Sequence, residues 1–178
     1  MIDLQVNGFA GVDFNSDELE GEDFVRAAMA LKNIGVHKFL PTLITAPLDK
    51  MRARAAKLVQ LIEECEELGI MIPGIHLEGP FISTEDGYRG AHPLDGVCLA
   101  DLEIVKGLED ACAGKLLLFT LAPEQDKQGE VTKFLTNQEV VVSAGHTNAS
   151  TDQLKNAIDS GLQMFTRVSY THLRAHET

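Results

Sequence analysis

The sequence has no excess of basic residues, no apolar run long enough to cross a bilayer, no paired-cysteine motif and no glycine-rich nucleotide fingerprint. Each absence excludes a class. Fifteen Lys and Arg face 27 Asp and Glu, for a formal net charge of −12. With no basic surface to neutralise phosphates, nucleic acid is excluded as a partner. The average field leaves room for a small anionic substrate, which local groups hold. No apolar run approaches the ~18 residues of a transmembrane helix, so no membrane association is expected. Met1-Ile2-Asp3 puts an acidic residue where a signal peptide has its basic region, so none is expected. Cys65, Cys98 and Cys112 lack C-x-x-C spacing and cannot all pair, so they read as free thiols in a reducing cytoplasm. No G-x-G-x-x-G follows the first strand, which disfavours a dinucleotide-binding sheet.

What is present is an ordinary globular composition, 44% hydrophobic and 24% charged over 178 residues, enough for one core. The chain is organised around Ile75-His76-Leu77-Glu78-Gly79-Pro80-Phe81. The apolar run Ile70 to Ile75 leads into a histidine and a carboxylate, as in a strand buried on both faces. A carboxylate at such a strand end is costly unless something pairs with it. Glu78 is therefore a metal ligand, a catalytic carboxylate or half of a buried ion pair. A second stretch of similar design, Val140 to His146, ends in a histidine.

Around these two stretches, strands and helices alternate. Ile2 to Gly8 reads as a strand leaving into a loop, Glu22 to Ile34 as a helix, and Val36 to Thr45 as a strand. Leu48 to Leu68 reads as one long helix capped by Gly69. The polar connection Ser83 to Gly96 is long enough to be functional. A helix from Leu99 to Ala113, a strand from Leu116 to Leu121, a short helix at Val131 to Leu135 and the Val140 strand follow. Ser150 and Gln153 have capping-box spacing for a helix running to Ser160, and Leu162 to Thr166 begins a sixth strand. Six strand–helix alternations imply an α/β fold with a parallel sheet. A complete (β/α)₈ barrel needs ~250 residues, so this is an incomplete (β/α)₈ TIM-like barrel of about six βα units.

His76 and Glu78 are two apart and point to one face of their strand. Carboxylate oxygen and imidazole nitrogen together suit Zn²⁺ or another divalent transition metal. The plainer reading of either histidine is a satisfied core residue. His37 precedes its strand and reads as surface or packing. Glu124 either orients a ligand or pairs with a nearby basic residue. Gly87 to His92 either clamps an anionic or hydroxylated substrate or is a mobile surface loop.

His76-Leu77-Glu78-Gly79-Pro80-Phe81, Thr120-Leu121-Ala122-Pro123-Glu124 and Gly145-His146-Thr147-Asn148-Ala149 resemble motifs of the N-acetylglucosamine-6-phosphate deacetylase family of amidohydrolases. So do Ile2 to Gly8 and Pro41 to Thr45, and the likeness runs from Ile2 to Thr166. The resemblance implies a distorted (β/α)₈ barrel with a small β-domain built from the two chain ends. It implies hydrolysis of the N-acetyl group of a phosphorylated amino sugar, and a homo-oligomeric parent enzyme. Carried over residue by residue, Glu78 and His146 match metal ligands and His92 matches a substrate contact. Gln5 and Asn7 stand where many amidohydrolases have His-x-His, which implies a single divalent ion, Zn²⁺. Gln5 and His76 are then candidates to hold the metal ligands in place.

Two departures from the family pattern are expected to matter. Arg167 follows Phe165-Thr166 where the family has its second metal-binding histidine, and Thr171-His172-Leu173 is out of register. The family's catalytic aspartate, expected after the eighth strand, has no counterpart here. The expectation is a barrel domain at 1–166 followed by a non-homologous tail at 167–178, in a fragment lacking both ends and inactive by itself. The alternatives are another amidohydrolase acting on a cyclic amide or other N-acyl sugar, or a non-catalytic truncated barrel.

Overall fold

A computed structural model of the chain describes residues 1–166. Strand β1 (Ile2–Val6) is followed by a hairpin of β2 (Gly8–Phe9) and β3 (Val12–Asp13), then by α1 (Gly21–Asn33) and β4 (Lys38–Ile44). Next come α2 (Leu48–Glu64), α3 (Glu66–Met71), β5 (Ile75–Glu78), α4 (Leu102–Cys112) and β6 (Leu116–Leu121). The series closes with α5 (Glu130–Asn137), β7 (Val141–Ala144), α6 (Thr151–Asp159) and β8 (Met164–Phe165). Six strands form one sheet in the order β1-β4-β5-β6-β7-β8, each pair parallel. The sheet curls into part of a TIM-like barrel with helices between its strands, as the alternation predicts.

The inner strands alternate in chemistry with a period of two. Leu43, Leu77, Phe119 and Val142 share one hydrophobic core with Met51, Leu58, Val105, Leu108 and Leu135 of the helices. Thr42, His76, Thr120 and Ser143, one position away on each strand, form a hydrogen-bonded polar layer with Thr166. The inner strands are buried on both faces, as expected for β5, but the second face carries this polar layer together with Leu40 and Leu118.

The predicted helix over Leu48–Leu68 is corrected. It breaks at Cys65, whose backbone is extended at φ −131°, and Gly69 lies inside α3 rather than capping α2. The break turns Leu68 and Met71 into the core while Ile70 faces solvent. Of the apolar run 70–75, only Ile75 is strand. Helix α4 begins at Leu102 instead of Leu99, because the Asp101 carboxylate accepts the amide protons of Glu103 and Ile104 and fixes the start. The capping box at Ser150 and Gln153 forms as the spacing predicts. Among the described residues no helix is long and apolar enough to cross a membrane. The proposed tail at 167–178, with Arg167 and His172, lies outside the described residues, and the only β-structure besides the barrel sheet within them is the β2–β3 hairpin.

Candidate metal centre

Glu78 is the last residue of β5 and is 1% exposed. The chain must turn sharply beyond it: Gly79 has φ +96°, and a Cβ there would lie 2.0 Å from Thr45 Oγ1. Only glycine fits. The carboxylate is held at both oxygens. Oε2 accepts from Gln5 Nε2 at 2.9 Å, reaching across from β1, and Oε1 accepts from His146 Nε2 at 3.0 Å. Burial pushes the Glu78 carboxyl up, but the His146 hydrogen bond and the neighbouring histidines outweigh it and hold the group below the usual range.

His146 follows β7 on a strained stretch of backbone. Its φ is +50°, an uncommon region for a side-chain-bearing residue, in which histidine is enriched and which concentrates at functional sites. Gly145 before it passes so close to Thr120 that a Cβ would sit 2.7 Å from Thr120 Cγ2. His146 Nδ1 donates to the Arg89 carbonyl at 3.2 Å. A carbonyl can only accept, so Nδ1 keeps a proton and Nε2 is the nitrogen that faces Glu78, where it shares a proton with the carboxylate and where any ion would bind.

His92, 4% exposed, comes from the Ser83–Gly96 connection. Its Nδ1 lies 2.9 Å from Thr45 Oγ1 and accepts the Thr45 amide N–H at 3.4 Å, and its Nε2 stands 3.9 Å from Glu78 Oε2. The His92 and His146 rings meet edge to face with centroids 4.2 Å apart. One ligand atom from each of Glu78, His92 and His146 lies within 4.8 Å of the others. Ligand atoms around a tetrahedral Zn²⁺ are roughly 3.3 Å apart, given bonds of about 2.0–2.1 Å. Glu78 Oε1 and His146 Nε2, 3.0 Å apart, meet that spacing and His92 Nε2, 3.9 Å from Glu78 Oε2, stands further off, so the donor chemistry suits one divalent ion with Glu78 and His146 nearest to it. An ion between Glu78 and His146 would take the place of the Nε2 proton.

His76 is not brought into this cluster. It is fully buried, with Nδ1 3.1 Å from the Leu4 carbonyl and Nε2 2.8 Å from Thr120 Oγ1. Burial lowers it to about 4, against the opposing pull of Glu78 and the Leu4 carbonyl. It is the satisfied core histidine. Its bonds also fix the direction of a row. Leu4 O takes the Nδ1 proton, so Thr120 must donate to Nε2. Thr166 must then donate to Thr120 at 3.0 Å, and Ser143 to Thr166 at 2.6 Å.

Glu124 makes no ion pair among the described residues. It accepts from the Thr147 hydroxyl and from the Asn148 amide at 2.8 Å, tying down the segment after His146. His37 is exposed ahead of β4, as expected. Sequence reasoning missed Thr45, which packs against Gly79 and His92, and the individual part played by Arg89.

No protein-family model matches the chain. Curated relatives do. The N-acetylglucosamine-6-phosphate deacetylase of Mus musculus is 34% identical over 183 residues, covering 98% of this chain and 42% of that protein. The Bacillus subtilis enzyme of the same name is 31% identical, covering 94% and 42%. Nearly the whole chain is thus similar to N-acetylglucosamine-6-phosphate deacetylases. It spans about 42% of the length of these family members. The crystal structure of the family member from Mycobacterium smegmatis superposes with a TM-score of 0.82 at 29% identity, over 94% of this chain and 42% of that one. A mutant of that enzyme has been solved in complex with N-acetyl-D-glucosamine-6-phosphate. An N-acetylgalactosamine-6-phosphate deacetylase of Escherichia coli O157:H7 is also 33% identical, over 90% of this chain and 41% of its own length.

Proposed function

We propose that this chain carries the metal-binding part of a hydrolase that removes the N-acetyl group of N-acetylglucosamine 6-phosphate, giving glucosamine 6-phosphate and acetate. The observation that carries the reading is the convergence of Glu78, His92 and His146 at the carboxyl ends of β5 and β7 and on the adjoining loop, where an α/β barrel keeps its chemistry. Glu78 and His146 hold one divalent ion, Zn²⁺ by its donor set. Such an ion supplies an activated water and polarises the amide carbonyl. Gln5 fixes the outer oxygen of Glu78 and so aims the inner one.

His92 serves the substrate rather than the ion. The Thr45 amide can only donate, so a lone pair sits on His92 Nδ1 and the proton on Nε2. A ring N–H then faces the cluster, suited to a sugar or acetyl oxygen. Replacing His146 with Asn should abolish the chain's weak zinc binding, whereas His92→Asn should retain it, as read by titration of the metal-free protein with Zn²⁺. Zinc loss in both variants would make His92 a ligand and overturn this assignment.

The 178-residue chain alone should release no acetate. Two protein ligands fall short of the three usual at catalytic zinc. Among the described residues no further carboxylate stands in the cluster to pass a proton to the leaving amine, a contribution of typically 10²–10⁴-fold. Turnover by the zinc-loaded chain would refute that. A longer polypeptide from the same reading frame, assayed with the glucosamine and galactosamine substrates side by side, tests the family activity. The galactosamine arm is needed because the relative acting on that sugar is as similar as the others. Turnover of neither sugar, with turnover of a cyclic amide, would remove the reading.

A further inference from the structure

The Ser83–Gly96 connection is laced to the segment at His146 by three hydrogen bonds. Ser83 N donates to His146 O at 2.9 Å, Asn148 Nδ2 to Glu85 Oε2 at 3.1 Å, and His146 Nδ1 to Arg89 O at 3.2 Å. Arg89 occupies the centre of this lacing and acts at both ends of its own residue. Its main-chain carbonyl receives the His146 ring, while its guanidinium Nη1 donates to the His92 carbonyl at 2.6 Å. Gly90 beside it, at φ +63°, keeps the backbone close over that ring, 3.5 Å from His146 Nδ1 when measured from the Cβ it lacks. The side chain is 17% exposed, and its Nε–H is buried without a partner. A buried orphan donor costs stability, so the rest of the side chain must hold something that compensates.

We infer that Arg89 is a positioning residue that sets both histidines of the site together: its carbonyl orients the His146 ring, and its side chain anchors His92. This rests on the reading of Glu78 and His146 as metal ligands. The outer contact to Asp86, which is 90% exposed, is not part of the device.

The test uses the full 178-residue chain with Arg89→Met, Arg89→Lys and Asp86→Asn, and two readouts. In metal-free protein with ¹⁵N-labelled histidine, the Nδ1–H of His146 should exchange slowly in wild type and Asp86→Asn and faster in Arg89→Met, where the loop carrying the Arg89 carbonyl is no longer tied to His92. With Co²⁺ as probe, Arg89→Met should weaken binding about 10–100-fold, the usual effect of removing a group that orients a ligand. Arg89→Lys, which keeps one donor, should fall between, and it carries the test if the Met variant fails to fold. Unchanged Nδ1–H protection and unchanged Co²⁺ affinity in the Arg89 variants would overturn the inference. Should wild type take up no Co²⁺ while protection still depends on Arg89, the metal reading falls and the positioning of His146 stands.

Discussion

His76 shows how one buried ring ties stability to acidity. Folded, it stays neutral down to about pH 4; unfolded, it takes a proton near 6.5. The unfolded state therefore binds more protons between those values, so the contribution is complete above pH 6.5 and fades as pH falls toward 4. The shift corresponds to about 3 kcal/mol. Urea unfolding of metal-free wild type and His76→Asn across pH 4–7 should show a stability gap that closes on acidification; a gap independent of pH would refute the assignment. Among residues, Glu78 and His146 were legible because a titrating group that ends an apolar run stands out. Thr120 was not, since threonine in a strand reads as ordinary β-branched filling. Arg89 was only half legible: one of its contacts is a main-chain carbonyl, an atom common to every residue, and no letter of the sequence announces it.

At the scale of elements, the periodicities of three to four and of two gave the helices and the parallel order correctly, because each buries one face against the same core. The break at Cys65 left no signal, since none of the residues there is a strong helix breaker and tertiary packing of Leu68 and Met71 decides it. The polar layer escaped for a related reason: its members come from four strands and the residue after β8, and only the register brings them together. Thr120→Val should cost about 1–3 kcal/mol by leaving the His76 and Thr166 groups unpaired. Thr120→Ser should keep the bonds and most of the stability. Equal losses in the two variants, measured by chemical denaturation, would show that methyl packing and not the hydroxyl matters.

For the molecule as a whole, β1 and β8 are the outer strands of the described sheet, and they carry exposed Ile2, Leu4 and Phe165. Apolar side chains beside unpaired parallel edges promote association. The double variant Ile2→Lys and Phe165→Lys should elute as smaller species than wild type at the same concentration in size-exclusion chromatography; identical profiles would clear the edges of that role. Between these edges, the row from Ser143 through Thr166, Thr120 and His76 to Leu4 runs across the barrel with every donor pointing one way. Such a row conducts charge only if each member can pass a proton on and then turn round. This one ends on an amide carbonyl that takes up no proton at ordinary pH, and it passes through a ring whose second proton is resisted down to about pH 4. Beneath Glu78, then, this row is an electrical insulator: it holds the strands together without relaying protons along itself.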